Sequence, residues 1–205
     1  MEYIVKKTID ALKNNGINGY FVDSTKQLLE IVTSILKAGD TVSCGGSLTL
    51  HETGILKLLS NGQYNYLDRF KKGITPQELK QIFRDSFSSD VYLTGTNAIT
   101  MDGELYNVDG LGNRVACMIY GPDKVIVVCS TNKIVRNLEA AIDRNRTIAA
   151  PLNATKLAKK TPCVVLGYCS DCSSPDRICC KYTLIRKERT PDRMHVILID
   201  EAFGL

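Results

Sequence analysis

The chain has 205 residues, 26 of them basic and 22 acidic, which gives a formal net charge of +4, and 44% are hydrophobic. These values are those of an ordinary globular protein with a core, and they exclude disordered and fibrous chains. The small charge and scattered basic residues argue against nucleic-acid binding. No stretch approaches the ~20 apolar residues of a membrane span, and the N-terminus lacks the apolar core of a signal peptide. We therefore expect a cytoplasmic protein with no nucleic-acid or membrane partner.

The predicted elements alternate between helix and strand. Apolar residues at helical spacing and capping patterns indicate helices, and continuous short apolar runs are typical of strands buried on both faces of a parallel sheet. In chain order, the first elements are a helix up to Gly16, a strand at YFVD (20–23), a helix between Ser24 and Gly39, and a strand and turn at DTVSCGG (40–46). One helix at SLTLHETGILKLL (47–59) follows, then a helix from Thr75 with Pro76 at its first position, and strands at VYLTG (91–95) and KVIVVCS (124–130). The last elements are a long helix from near Asn132 to Pro151 and strands at CKYTLIRK (180–187) and RMHVILID (193–200).

This alternation predicts an α/β domain around a mostly parallel sheet. Between two of the apolar strands, Asp102-Gly103 is a strong hairpin signal. No internal repeat, low-complexity tract or long linker interrupts the sequence. The simplest organisation is one domain over residues 1–205 with a cysteine-rich loop over residues 161–180.

A glycine turn, Cys44-Gly45-Gly46-Ser47, joins a predicted strand to a predicted helix. Glycines let a ligand approach the backbone, and a helix N-terminus presents unpaired N–H groups that favour anions. A tight turn with Ser47 or Thr49 as the helix cap accounts for the same residues without a ligand. The turn is neither GxGxxG nor a GK[ST] P-loop, so the dinucleotide and nucleoside-triphosphate motifs are absent.

A second glycine-rich stretch, from Thr94 to Arg114, begins where another predicted strand ends. Ligands of open α/β sheets bind at the carboxyl ends of strands. A hairpin at Asp102-Gly103 would require part of this stretch with no ligand at all. Two glycine turns at strand ends nevertheless predict one shared pocket for a small anion. The polar side chains that this stretch adds are Asn97, Asp109, Asn113 and Arg114.

Four segments carry a family resemblance: GGSLTLHETGI, TGTNAITMDGELYNVDGLGNRVACMIYGPDKVIVV, NKIVRNLEAAIDR and TPCVVLGYCSDCSSPDRICC. Together they resemble the LUD domain family (DUF162), whose members include the C-type lactate-utilisation protein. The resemblance spans residues 1–205 with short gaps. It implies a three-layer, Rossmann-like α/β fold with a mostly parallel sheet, similar to that of ribose-phosphate isomerase, glucosamine-phosphate deaminase (NagB) and CoA-transferase.

The resemblance also implies site residues. Glu52 and Asp109 match the family's motifs, and fold analogy makes them the candidate catalytic carboxylates, whereas His51 and Cys44 lie outside the family's pattern. The further positions that match the family's motifs are Gly54, Ala98, Asp102, Gly103 and Gly110. The candidate ligand-binding residues are Gly45, Gly46, Ser47, Thr49, Gly95, Asn97, Gly112, Asn113, Arg114 and Lys133.

Five of the eight cysteines lie within residues 161–180. Cytosolic thiols stay reduced, which argues against disulfides. Neighbours on a strand face opposite sides, so a strand that begins near Ile178 would turn Cys180 to the core and leave Cys179 as a ligand. The four thiolates that Zn²⁺ or an iron–sulfur cluster requires would then come from Cys163, Cys169, Cys172 and Cys179, which also match the family's cysteine pattern.

Two alternatives to a metal site stay open for these cysteines. Free cysteine is often buried, so the group could be an inert packed cluster, and a thioredoxin-like redox CxxC is the second alternative. The remaining spacings fit neither a zinc ribbon nor the bacterial ferredoxin pattern. Cys117 and Cys129 lie in apolar segments and are predicted core residues.

Three functions are compatible with the sequence. The resemblance implies a component of L-lactate oxidation to pyruvate that acts with iron–sulfur oxidoreductase subunits and binds a small anionic ligand. Fold analogy suggests a stand-alone isomerase or transferase on a phosphorylated or CoA-linked substrate, with Glu52 or Asp109 as base and Arg114 or Lys133 as anion clamp. A non-catalytic scaffold that responds to metal or redox state is the third. The sequence leaves open whether the protein is a monomer or a homodimer.

Overall fold

Helices and strands alternate along the chain in a computed structural model that describes residues 2–205. The strands are β1 (Asn18–Val22), β2 (Thr41–Cys44), β3 (Asn65–Tyr66), β4 (Val91–Gly95), β5 (Ala98–Thr100), β6 (Leu105–Asp109), β7 (Lys124–Ser130), β8 (Ile134–Val135), β9 (Lys181–Ile185) and β10 (Met194–Ile199). The helices are α1 (Glu2–Asn14), α2 (Thr25–Ile35), α3 (Leu48–Glu52), α4 (Ile55–Leu59), α5 (Pro76–Asp85), α6 (Asn113–Ile119), α7 (Leu138–Arg144), α8 (Ala150–Lys156) and α9 (Pro162–Leu166).

The central sheet has six parallel strands in the order β1-β10-β7-β4-β2-β3. Strand β7 shows why the fold has three layers, because its alternate side chains enter two different cores. Ile126 and Val128 pack with residues of α2, α3 and α4, and Val127 packs with residues of α1 and α6 on the opposite face. The predicted three-layer α/β fold with a mostly parallel sheet is confirmed. None of the helices within residues 2–205 is both long enough and apolar enough to cross a membrane.

A second sheet of four strands, in the order β8-β5-β6-β9, lies beside the first. Strands β5 and β6 form the antiparallel hairpin that Asp102-Gly103 predicted. Strand β9 pairs antiparallel with β6, from Leu105 opposite Ile185 to Asp109 opposite Lys181. The sequence predicted the strand β9 but not that it joins this sheet. One further hydrogen bond lies just outside this pairing, since the N–H of Cys180 donates to the carbonyl of Asp109 at 3.0 Å. The cysteine-rich segment is thereby held at the end of β6.

The prediction of one continuous helix over residues 47–59 is wrong, because this segment forms two short helices, α3 and α4. Gly54 separates the two with a φ of 78°, in the left-handed region that ends a helix. Ser47 caps α3 by accepting from the N–H of Leu50 at 3.4 Å, which is one of the two caps that the sequence suggested.

The helix predicted from near Asn132 to Pro151 has different ends in the structure. The observed helix begins at Leu138, capped by Asn137, and continues past Pro151 as α8. Between α7 and α8 the backbone forms a π-helical segment, Asn145–Ala149. Pro151 is tolerated because it stands in the first turn after this segment, where its missing N–H has little effect. The helix therefore bulges where the sequence predicted that it would stop.

Gly103 is required by close packing of the hairpin on α1. Its φ is +76°, and a Cβ there would lie 2.7 Å from the backbone nitrogen of Leu12. We expect Gly103→Ala to lower the free energy of unfolding by about 2–3 kcal/mol, because backbone strain and overlap add. Gly62→Ala is the matched control, with a φ of +87° and nothing within 4 Å, and should cost about 1 kcal/mol. Urea unfolding compares the two, and equal losses would contradict the packing argument.

Candidate functional site

The two glycine turns meet at one edge of the central sheet. Strands β2 and β4 are parallel neighbours, and the N–H of Gly45 donates to the carbonyl of Leu93 at 2.9 Å. A Cβ on Gly95 would lie 2.8 Å from the Ser47 hydroxyl oxygen, so glycine permits the contact between the turns. The prediction that both turns lie at one edge of the sheet is confirmed, and residues of both turns line one cavity. That an anion binds in this cavity stays a prediction.

A cavity of about 130 Å³ opens between these turns; we call it the Lys133 cavity. Its far wall comes from the π-helical segment and α8, through Ala149, Asn153 and Lys156. Of the predicted ligand-binding residues, Gly45, Gly112 and Asn113 do not line it. The predicted residues that do are Gly46, Ser47, Thr49, Gly95, Asn97, Asp109, Arg114 and Lys133.

The guanidinium of Arg114 is fully bonded to the protein. An arginine has five N–H donors. Its Nη1 donates to the carbonyl of Gly95 at 3.2 Å and to Asn107 Oδ1 at 2.6 Å. Its Nη2 donates to Asn97 Oδ1 and to the carbonyl of Val108, both at 3.0 Å. Together with Asp109, these acceptors use every donor.

Asp109 takes the fifth donor, since Nε of Arg114 lies 3.2 Å from its Oδ1. The N–H of Val115 donates to the other oxygen at 3.4 Å. The predicted anion clamp at Arg114 is therefore better described as a positioning residue, which joins the end of β4 to β6. A ligand would have to displace one of these bonds to reach it.

Lys133 is a buried cation that lines the cavity and keeps free donors. Its side chain enters the cavity wall with 3% of its surface exposed, and its Nζ donates to the Thr49 hydroxyl at 3.1 Å. Within residues 2–205 no carboxylate lies within 4 Å of the ammonium. Burial lowers the pKa of Lys133 below its ordinary value, and the nearby Arg144 and Arg114 act in the same direction. The group is a desolvated cation with unfilled hydrogen-bonding capacity.

Of the two predicted catalytic carboxylates, only Asp109 lines the cavity. Glu52 is exposed at the end of α3, and its Oε2 accepts the N–H of Gly204 at 2.7 Å. Its charge still acts on Lys133 by raising that residue's pKa. The structure thus gives Glu52 an electrostatic influence on the cavity but no place on its wall.

A second cavity of about 180 Å³ adjoins the first and is lined by Asn97, Asn113, Asn145 and Asn153; we call it the asparagine cavity. Asn113, predicted as a ligand-binding residue, lies here. Asn145 lies within the predicted helix but was not singled out, and Asn153 was missed because that helix was expected to stop at Pro151. The signal that could have found Asn153 is the helical spacing that continues through LNATKLAKK.

The four predicted metal ligands, Cys163, Cys169, Cys172 and Cys179, line one small cavity of about 20 Å³. Arg177 holds the loop around it by donating to the carbonyl oxygens of Cys172 and Cys179. The donor type and number suit a soft metal. Within residues 2–205, however, no three His, Cys, Asp or Glu side chains lie close enough together to hold a metal ion. The metal site therefore stays a prediction.

The predicted orientation of the paired cysteines is wrong. Cys180 is exposed and Cys179 is buried. The reason is that β9 begins at Lys181, so residues 178–180 do not follow strand alternation. Cys179 still belongs to the four-cysteine cavity, and Cys117 and Cys129 are buried as predicted.

The two adjacent thiols should differ in reactivity. Burial, with a contribution from Cys169, raises the pKa of Cys179 to about 11. At pH 8 its thiolate fraction is then about 0.1%. We expect iodoacetamide to modify exposed Cys180 at least ~10-fold faster than Cys179, because the thiolate is the nucleophile. Fragment-ion mass spectrometry of the tryptic peptide ICCK separates the two, with buried Cys129 as the unreactive reference. Equal rates would contradict this assignment.

Comparison with known proteins identifies the family. The LUD domain model matches residues 5–199, and no curated protein matches the chain. A DUF162 family protein from Deinococcus radiodurans shares 17% identity over 97% of both chains, with a TM-score of 0.55. An eIF2B delta structure from Chaetomium thermophilum is 21% identical over 65% of this chain and 55% of that one, at a TM-score of 0.37. The chain belongs to the LUD domain family, and at the level of that family it is a lactate-utilisation-like protein.

Proposed function

We propose that this protein is a cytoplasmic component of L-lactate oxidation to pyruvate and that it binds a small carboxylate anion in the Lys133 cavity. The observation that carries the proposal is the buried Lys133 ammonium, which has one hydrogen bond, to Thr49. A buried charge is costly unless it is paired and hydrogen-bonded. An anionic ligand would supply the missing partner.

The surroundings of Lys133 support an anion over a cation. Lys156 adds a second lysine to the wall, while the carboxylate of Asp109 is already paired with Arg114. The hydroxyls of Ser47 and Thr49 lie on the same wall and can bond to a carboxylate or to the hydroxyl of a 2-hydroxy acid. The cavity therefore offers positive charge and neutral donors together.

Binding is better supported than acid–base catalysis by this chain alone. A general base must be free to reach the substrate, and each oxygen of Asp109 is already used to hold a protein group in place, Nε of Arg114 on one and the N–H of Val115 on the other. Oxidation of lactate releases two electrons and two protons. The sequence has no flavin or nicotinamide motif to accept them. We assign that role to iron–sulfur oxidoreductase subunits acting as partners.

The surface beside the four-cysteine cavity supports a docking role. Val165 and Tyr168 follow Cys163 closely in sequence and are 88% and 54% exposed. Residues 146–181 contain six basic and two acidic residues. Exposed apolar side chains within a basic region suit an acidic partner.

The four cysteines would hold a single metal ion. A 20 Å³ cavity has room for about one small sphere, which favours Zn²⁺ over an iron–sulfur cluster. When bound, four-thiolate zinc contributes folding energy. Residues 168–180 contain no helix or strand, so such a contribution would fall where the chain has least regular structure.

Lys133→Met tests the anion site. The variant keeps the length of the side chain and removes its charge, so we expect L-lactate and pyruvate binding to weaken by about 1.5–3 kcal/mol. Isothermal titration calorimetry gives the affinities. Lys26→Met, on the exposed face of α2, is the control and should bind as the unchanged protein does. Unaltered affinity in a folded Lys133→Met protein would contradict the proposal.

Metal analysis of anaerobically purified protein tests the cysteine site. We expect about one equivalent of metal per chain, lost in Cys172→Ser and retained in Cys180→Ser, because Cys180 is exposed outside the cavity. Equal loss in both variants, or no metal in the unchanged protein, would show that the ligand assignment is wrong.

A further inference from the structure

The asparagine cavity connects the two sites already described. It shares Asn97 and Asn153 with the Lys133 cavity, and it shares Cys179 with the four-cysteine cavity. Its volume of about 180 Å³ exceeds the 130 Å³ of the Lys133 cavity. A three-carbon acid held at Lys133 would leave this second space to water.

Asn145 is the most informative residue of this cavity. It is only 2% exposed, yet its side chain forms no hydrogen bond with any other residue in the described part of the chain. An amide offers two donors and an acceptor oxygen. Within residues 2–205 the fully buried side-chain polar atom without a partner is Nδ2 of Asn107, so the Asn145 amide is not sealed in the core but opens to the space of the cavity. A ligand or an ordered water there can complete its hydrogen bonding.

Three further amides face the same space. Asn113 and Asn153 form no side-chain hydrogen bonds within residues 2–205, and both are half-buried. Asn97 uses its Oδ1 to accept from the N–H of Val108 and from Arg114, which leaves its amide nitrogen available. Four asparagines thus present both donors and acceptors toward one cavity.

The π-helical segment borders this wall. Asn145 begins the segment and Ala149 ends it, and both line the cavity. π-segments are rare and occur frequently at functional sites. The irregular turn therefore lies directly at the proposed site, with Asn153 of α8 on the same wall.

The chemistry of the wall narrows the class of ligand. Asp109 is the single charged residue among the described residues that line this cavity, and it is paired with Arg114. No aromatic side chain lines either cavity within residues 2–205, so a planar ring would find no stacking surface. Apolar side chains, among them Leu111, Leu157 and Ile178, share the wall with the asparagines. The part of the ligand that lies here should therefore be neutral and not aromatic, and it should combine hydrogen-bonding groups with C–H surface, as a polyol does.

We propose that the Lys133 cavity and the asparagine cavity together bind one polyhydroxylated anion. Its charged end lies at Lys133, and its hydroxyl groups bond to Asn113, Asn145 and Asn153. This inference rests on the anion site of the proposed function and extends it, because the ligand is longer than lactate. A sugar acid and a sugar phosphate share the required chemistry.

Isothermal titration calorimetry on the full chain distinguishes a sugar acid from a sugar phosphate as the ligand. D-gluconate represents the sugar acids and D-glucose 6-phosphate the sugar phosphates, with L-lactate and inorganic phosphate as the short anions of the same charge types. We expect at least one long anion to bind about tenfold or more tightly than its short counterpart, as one additional net hydrogen bond of about 1.4 kcal/mol would give. Tighter binding of D-gluconate would identify the ligand as a sugar acid, and tighter binding of D-glucose 6-phosphate would identify it as a sugar phosphate.

Asparagine variants show whether the hydroxyl groups use this cavity. Asn145→Ala should weaken the long anion about tenfold and leave the short anion unchanged, because Asn145 lines the asparagine cavity and not the Lys133 cavity. Asn153 lines both cavities, so Asn153→Ala should weaken the long anion about tenfold and by more than it weakens the short one. Asn14→Ala is the control, since Asn14 is exposed on α1. Asn153 is half-buried on a helix, so its variant remains informative if Asn145→Ala does not fold.

Three results would overturn the inference. Long anions could bind no more tightly than short ones, the asparagine variants could leave long-anion binding unchanged, or a nucleoside monophosphate could bind more tightly than either sugar derivative. Loss of L-lactate binding in Lys133→Met, with no effect of Asn145→Ala and Asn153→Ala on any anion, would reject this inference alone. No binding of any anion would reject the proposed function as well.

Discussion

The Arg114 guanidinium is the interaction on which the candidate site depends. It lies where the central sheet meets the second sheet, and its acceptors are the carbonyl of Gly95 at the end of β4 and groups on Asn107, Val108 and Asp109 of β6. Because the fork is rigid and fully bonded, it fixes the distance between the two strand ends. The Lys133 cavity exists because these ends are held apart and not packed together.

This arrangement separates two uses of positive charge. Arg114 is neutralised by a carboxylate and bonded to protein acceptors at all five donors, so its charge maintains shape. Lys133 is also enclosed but has a hydroxyl as its bonded partner, so its charge is available to a ligand. Sequence alone treats both as cations near glycine turns. Only the distribution of acceptors around them tells a positioning residue from a binding one.

The sequence could predict what local patterns determine. Strands β4 and β7 were found with their observed bounds because continuous apolar runs fit a doubly covered parallel sheet, and the glycine turns were correctly placed at one edge. Predictions failed where a distant contact decides the outcome. Cys179 and Cys180 were assigned by strand alternation, but the strand begins after them because its pairing with β6 starts at Lys181. Pro151 was taken as a helix end because a π-segment cannot be seen in apolar spacing.

That π-segment has a consequence for how the site could have arisen. A π-segment is equivalent to one residue added to an α-helix, and each residue turns the helix by about 100°. In a regular α-helix an added residue would rotate everything after it by that angle, but the wider π-turn absorbs most of this rotation. Asn153 and Lys156 can therefore keep their places on the cavity wall although the helix carries an additional residue before them. A single codon separates this helix from a plain one, and a lineage could gain or lose it while keeping both the fold and the face that α8 presents to the site.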